Sequence, residues 1–452
     1  MKGERQSTAP DRFRARRRPP AFTASLLLLL LTLTLSPLPL PPSSASDDAT
    51  ITADSAEGRA VVFDEVWRTV GERYYDPTMH GIDWEAERRR WQPVAFAAPN
   101  AAEFYSVLRR MLATLRDAHT RVFAPEEKSE WHRPVFTSVG VFVREIEGQL
   151  IVTHVERKSD AERAGVRAGD ALLSVDGEPA ARLLARRLGE SPPSSSSLSA
   201  ATAAAARLFD GPRDTEVVIT LAGREGARDA RTVKLRRVLR TRAPAFSVRR
   251  AEGGAAVVHF NVFTQEIAVE LMRAMREREE LRDSAGLVID LRDNGGGDAE
   301  AMIDIASAFL PAGTPLGRFS DRAGTVAAAP QTRRAMLLAA DAVASYEGRV
   351  AVLVGPRTAS AAEIFAAALQ ERGRARVFGE RTCGCVLAIR RRQPLADGGL
   401  LDVAEMDYRT AADRRLEGAG VTPDVTFTLK RRDIFERRDP ALDAALDHLK
   451  KR

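Results

Sequence analysis

From Ala255 onward the chain alternates between two hydrophobic periods, and this rhythm restricts the fold more than any other feature. Ala255 to Phe260 reads as a strand, Ile267 to Arg278 as a helix, Gly286 to Leu291 as a strand, Ala299 to Phe309 as a helix, Arg349 to Val354 as a strand and Ser360 to Leu369 as a helix. Such a βαβ alternation predicts a sheet covered by helices, with reactive groups at the ends of its strands.

Two strand ends carry the chemistry. The run Gly286-Leu287-Val288-Ile289-Asp290-Leu291-Arg292-Asp293-Asn294-Gly295-Gly296-Gly297 is a buried strand that ends in a glycine loop. Three glycines let the backbone turn with its amides outward, as an oxyanion requires. A phosphate cradle would look similar, but no Lys-Ser or Lys-Thr pair follows. Val350 to Val354 is a second buried strand, followed by Gly355-Pro356-Arg357-Thr358-Ala359-Ser360-Ala361-Ala362-Glu363. Ser360 thus falls at a strand-to-helix turn, where a hydroxyl is exposed and helix amides can stabilise negative charge. The plainer alternative is that Ser360 or Thr358 only caps a helix, with Glu363 in its first turn.

Taken together, the strand-Asp-Leu-Arg-x-Asn-x-Gly-Gly and Ser-Ala-x-Glu signatures resemble the tail-specific, or C-terminal processing, serine peptidase family. The resemblance covers nearly all of residues 57–430. It implies a multidomain α+β protein with a ClpP/crotonase-like α/β catalytic core at 250–440, a PDZ-like β domain inserted at 135–243 and an N-terminal helical bundle at 57–130. It further implies Ser360 as nucleophile and an oxyanion hole built from the amides of Ala361 and of Gly295 or Gly296. Bacterial members use a lysine in a Gly-Glu-x-Thr-x-Gly-Lys segment as base. Here that segment is Gly379-Glu380-Arg381-Thr382-Cys383-Gly384-Cys385, and no lysine occurs between Lys234 and Lys430. The tricorn-like branch uses a histidine and a glutamate instead. Leu115-Arg116-Asp117-Ala118-His119-Thr120 and Leu416-Glu417-Gly418-Ala419-Gly420-Val421 resemble the segments that carry them, which points to His119 and Glu417. Tricorn has a serine before the histidine, where this chain has Ala118. Asp117 and Thr120 are therefore candidates for orienting the imidazole.

The segments before the core are read by the same means. Val61, Val62, Val66 and Val70, then Phe104, Val107, Leu108, Met111, Leu112 and Leu115, recur three and four apart and predict helices, separated by the Asp76-Pro77 and Pro99-Asn100 breaks. Short strands follow from about Phe136 to Arg240. Ser159 to Gly177 resembles the helix and turn of a PDZ domain, which implies a peptide-binding groove with its carboxylate loop at Ser138, Val139 and Gly140. Ser191 to Ala206 reads as a flexible insertion.

Charge and cysteine content exclude other classes. The first twenty residues hold seven Lys or Arg against two acidic groups, so without them the formal charge of +6 falls to about +1. The basic excess belongs to a secretory signal at 1–45, with Leu26 to Leu31 as its apolar part and Ser43 and Ala45 as small residues for cleavage. No nucleic-acid surface is implied. The expected location is periplasmic or extracellular, with membrane attachment only if this segment stays uncleaved. The two cysteines, Cys383 and Cys385, are separated by one residue, which argues against a disulfide and against zinc. No cofactor or metal is expected. The partners implied are unfolded proteins or peptides, and a homo-oligomer is compatible with the sequence. A reading from another class is a catalytically silent member that binds peptides or apolar ligands.

Overall fold

The computed structural model describes residues 51–127, 135–190, 197–224, 226–241, 244–333 and 346–450; the signal expected at 1–45 lies outside them. Residues 50–452 form one compact unit with a mixed α/β fold.

At its centre is a six-stranded sheet in the order Phe246–Arg250, Ala256–Phe260, Leu287–Asp290, Val350–Val354, Ala375–Gly379, Val425–Thr426. Only the first pair is antiparallel; the others run parallel in chain order. Side chains alternate between the faces of a strand, and here both faces are covered. Val258, Leu287, Ile289, Val352, Val354 and Val377 pack under the helices Gln265–Glu277, Ala299–Ser307 and Ala361–Glu371. Val257, Val288, Ala351, Leu353 and Phe378 point the other way, under the C-terminal helix Pro440–Lys450. That two-sided burial is why these strands read as unbroken apolar runs.

The helices Ala56–Arg73, Trp84–Phe96 and Ala101–Ala113 begin where short polar side chains can satisfy free amides. Ser55 accepts from Gly58 N, Asp83 from Ala86 N and Asn100 from Glu103 N. Their apolar faces do not close on themselves. Val66, Val70, Phe104, Leu108 and Leu115 share one core with Leu387, Leu395, Leu401 and Val403 from the far end of the chain. The strand Arg121–Phe123 pairs with Leu400–Asp402 and completes that junction.

A second large sheet, with the strand order Val141–Ile146, Gln149–Val155, Ala171–Val175, Glu216–Ala222, Arg231–Arg236, encloses its own core. The expected flexible insertion is overturned for Ser197–Ala206, which is an α-helix with Ala204 and Ala205 buried in that core. An alanine run has the highest helix propensity, and small side chains allow close packing. Residues 191–196 of the same insertion lie outside the described residues.

Candidate active site

Parallel pairing sets Asp290 beside Leu353, so the loops that follow these two strands leave the sheet at the same edge. Thr358 joins them. Its buried Oγ1 donates to Leu291 O at 2.7 Å and accepts from Gly355 N at 2.9 Å. Ala359 N donates to Asn294 O at 3.1 Å, and Asn294 Nδ2 donates to Phe260 O at 3.0 Å. The glycine loop and the Ser360 turn are thus fastened to each other and to the neighbouring strand.

Ser360 has φ 54° and ψ −126°, a left-handed conformation costly for a residue with a Cβ, on the order of 1–3 kcal/mol. Glu363 Oε2 accepts from Ser360 N at 3.1 Å, which is half of a capping box, and the serine hydroxyl forms no cap hydrogen bond. Against it lies Gly296 at φ 98°, where a Cβ would stand 2.6 Å from Ser360 Cβ and 3.1 Å from Ala361 N. Only glycine fits there. The Gly296 amide donates to Asn294 Oδ1 at 2.9 Å. Among the described residues, the amides of Ala361 and of exposed Gly295 have no acceptor.

Glu363 is buried and collects four donors: Ser360 N, Thr382 Oγ1 at 2.5 Å, Gly384 N at 2.7 Å and Cys385 N at 2.9 Å. Burial pushes its carboxyl up to about 7, while these hydrogen bonds oppose the rise. Sequence reasoning treated this residue only as a cap partner. The Ser-x-x-Glu spacing was the available signal, but its donors from 382–385 are tertiary.

The cysteines correct an expectation: Cys383 and Cys385 form a disulfide, with Cα atoms 5.2 Å apart. Gly384, at φ 67°, turns the chain tightly enough to bring two residues so near in sequence to an ordinary bridging separation. Glu417 Oε2 accepts from Val386 N at 2.7 Å and Leu387 N at 3.1 Å, immediately beyond this loop.

His119 reaches the same region from the N-terminal helices. Thr120 Oγ1 accepts from Ala404 N at 3.1 Å, and Tyr75 N donates to Ala404 O at 2.9 Å. Asp117 Oδ1 accepts from His119 N at 2.7 Å and Thr120 N at 2.6 Å, so Asp117 and Thr120 fix the loop backbone and not the ring. His119 Nδ1 is buried without a hydrogen-bond partner. Burial, reinforced by Arg121 and opposed by Asp117, pushes the imidazole down to about 4. No hydrogen bond joins it to Ser360. Such bonds commonly tighten only around bound substrate. Tyr74, fully buried nearby, is pushed far up by burial and by the charges of Asp117 and Glu417; the sequence offered no signal for it.

Ser360, Ala361 and Gly296 are therefore in direct contact, and Glu417 is one loop away. Ser138 ends the strand Val135–Ser138, which pairs with Val238–Thr241, and Val139 and Gly140 lead from it into Val141–Ile146 of the other large sheet. All three are buried, Gly140 against Ser159, and the Gly140 amide donates to Ser138 Oγ at 3.0 Å. Arg144 from that sheet bonds Glu380 at 3.0 Å in the core. Among the described residues, no group of three or more His, Cys, Asp or Glu is placed to hold a metal ion.

Comparison with known proteins gives this geometry a context. Residues 254–427 match the model of Peptidase family S41, and residues 55–113 match the Tricorn protease C1 domain. The carboxyl-terminal-processing protease of Synechocystis is 29% identical over 393 residues, covering 85% of each chain. Carboxyl-terminal-processing peptidase 3, chloroplastic, of Arabidopsis thaliana is 29% identical over 381 residues, covering 80% of this chain and 68% of the relative. Among solved structures, the photosystem II D1 C-terminal processing protease superposes with a TM-score of 0.54 at 25% identity, over 87% of this chain and 97% of that one. Mature CPAF shares the fold, with a TM-score of 0.64 at 13% identity over 87% and 97% of the two chains. These relatives do not favour a silent binder. Over residues 254–427 the chain matches peptidase family S41, along most of its length it is similar to carboxyl-terminal-processing proteases, and it is a serine-type hydrolase.

Proposed function

We propose that this enzyme hydrolyses peptide bonds of unfolded proteins or peptides outside the cytoplasm, with Ser360 as nucleophile. The observation that carries the reading is the strained Ser360 turn, set against a glycine that no other residue could replace. Ser360 Oγ attacks the scissile carbonyl, and the resulting oxyanion takes hydrogen bonds from Ala361 N and Gly295 N, whose amides are uncommitted. Gly296 shapes the hole and leaves its amide to Asn294. His119, neutral at physiological pH, accepts the serine proton and returns it to the leaving amine. Water then resolves the acyl-enzyme. Glu417, at the junction of the two cores, supplies the negative charge that steadies the imidazolium or receives the substrate amine.

The core is read as ClpP/crotonase-like and the sheet within 135–243 as PDZ-like. The support for the second reading is the edge strand Val141–Ile146, which among the described residues pairs on one side only and can take a peptide as an added strand. The Ser138–Gly140 loop at its start would define where the chain end stops. The basic and apolar start of the chain supports export, and among the described residues no helix is long and apolar enough to cross a membrane.

Hydrolysis of an unfolded casein-type substrate by the mature chain, beside Ser360→Ala, His119→Ala and Glu417→Ala, tests the assignment. Ser360→Ala is expected to abolish turnover and fluorophosphonate labelling, and His119→Ala to reduce kcat by roughly 10²- to 10⁴-fold. Full activity in either variant would remove that residue from the mechanism.

A further inference from the structure

We propose that the Cys383–Cys385 disulfide is a positioning element of the hydrolytic centre, so that peptidase activity depends on the oxidation state of this pair. The inference rests on the assignment of Ser360 as nucleophile.

The two half-cystines clamp the residues on either side of Ala359. Cys383 N donates to Thr358 O at 3.0 Å, and Ser360 N donates to Cys385 O at 2.8 Å. Gly384, between them, donates to Glu363 Oε1 at 2.7 Å and accepts from Gly418 N at 2.8 Å, next to Glu417. Cys385 N donates to Glu363 Oε2 at 2.9 Å. One tripeptide therefore holds the backbone of the nucleophile, the carboxylate beneath it and the loop of Glu417. The residue at its middle is a glycine in the left-handed region, the least restrained type of residue available. The Sγ–Sγ bond fixes the spacing of the two clamping residues independently of that glycine. A non-glycine residue such as Ser360 keeps φ 54° only while its surroundings impose it.

Reduction by a dithiol breaks the Sγ–Sγ bond. Two electrons and two protons convert Cys383 and Cys385 to thiols, and the dithiol closes to its own disulfide. Gly384 then keeps its hydrogen bonds but loses the covalent closure around it, and the Thr358 and Ser360 contacts no longer share one rigid frame. The glycine loop at 295–297 is fastened separately, through Asn294 Nδ2 to Phe260 O and through Gly296 O, which accepts from Phe263 N at 2.8 Å, so substrate contacts outside the turn are less affected than the attacking oxygen.

The test uses the mature chain, oxidised or treated with dithiothreitol. The redox state is read by intact mass after thiol alkylation. Kinetics are measured on the unfolded casein-type substrate, and Ser360 reactivity by fluorophosphonate labelling. The reduced enzyme is expected to lose kcat roughly 10- to 100-fold at nearly unchanged KM, to label correspondingly more slowly, and to recover on reoxidation by a small disulfide. The double variant Cys383→Ser/Cys385→Ser should show the same loss with no response to dithiol, and it decides the matter if the buried bond resists reduction. If that variant does not fold, Cys383→Ala serves in its place. Undiminished kcat in the reduced enzyme, or in a folded variant without the bond, overturns the inference alone. Absent labelling of Ser360 in the oxidised enzyme overturns the nucleophile assignment and this inference with it.

Discussion

Ser360 and His119 divide the work of the site according to what surrounds each. Backbone strain at Ser360 is local and aims the hydroxyl. The basicity of His119 is set by burial, which favours the neutral ring, with Arg121 acting in the same direction and Asp117 against it. Because the folded value is depressed to about 4, the proton-accepting form persists through neutral and mildly acidic pH and disappears only as pH falls through that value. The acid limb of kcat/KM should therefore lie well below the ordinary histidine value of about 6.5. A pH–rate profile with its acid limb at that ordinary value would show that the base is solvated, or is another group. Ser360 and the glycines at 295–297 were legible in the sequence because turn geometry is written in neighbouring residues. The state of His119 was not, since its neighbours Thr120 and Arg121 are held against Ala404 and Asp402, which lie far along the chain.

At the level of elements, the site depends on two parallel strands ending side by side. Thr358 provides the fastening, and Thr358→Val keeps the shape while leaving buried Gly355 N without its acceptor; Leu291 O keeps its bond from Asn294 N. An unsatisfied buried group costs about 1–3 kcal/mol, so the variant should unfold at lower denaturant and lose activity in parallel. Urea unfolding beside steady-state kinetics measures both. An unchanged midpoint would mean that the strands hold their ends without this bond. The strands themselves were readable because both faces are covered, and the helices because their caps and periods agree. Ser197–Ala206 was misread because its composition suits both a linker and a helix, and only the burial of Ala204 and Ala205 decides between them. Cys383 and Cys385 were misjudged for a related reason: their spacing disfavours a bridge unless the backbone between them folds back, as it does at Gly384.

For the whole molecule, the most consequential contact is the core shared by the first helices and residues 387–404. Leu387, Leu395, Leu401 and Val403 are nearly inaccessible only because Val66, Val70, Phe104 and Leu108 cover them. A chain beginning at residue 250 exposes these side chains, each worth about 1.5–3 kcal/mol when buried. It is expected to aggregate, or to lack a cooperative thermal transition by calorimetry. A soluble fragment with a sharp transition would show that the peptidase core stands alone. The helices also carry His119, so their removal takes the proposed base along with the packing.

The sequence by itself determined the alternation of strands and helices, the strand ends where chemistry occurs, and the serine and glycine types that occupy them. Each follows from a period, a cap or a backbone conformation, and these are encoded within a few residues. Tertiary structure alone decided which amides remain uncommitted, that Glu363 gathers donors from 382–385, that the cysteines join, and that Thr120, beside His119, bonds Ala404 near the far end of the chain. Burial and hydrogen-bond closure between distant segments depend on how whole surfaces pack, and no local pattern records that.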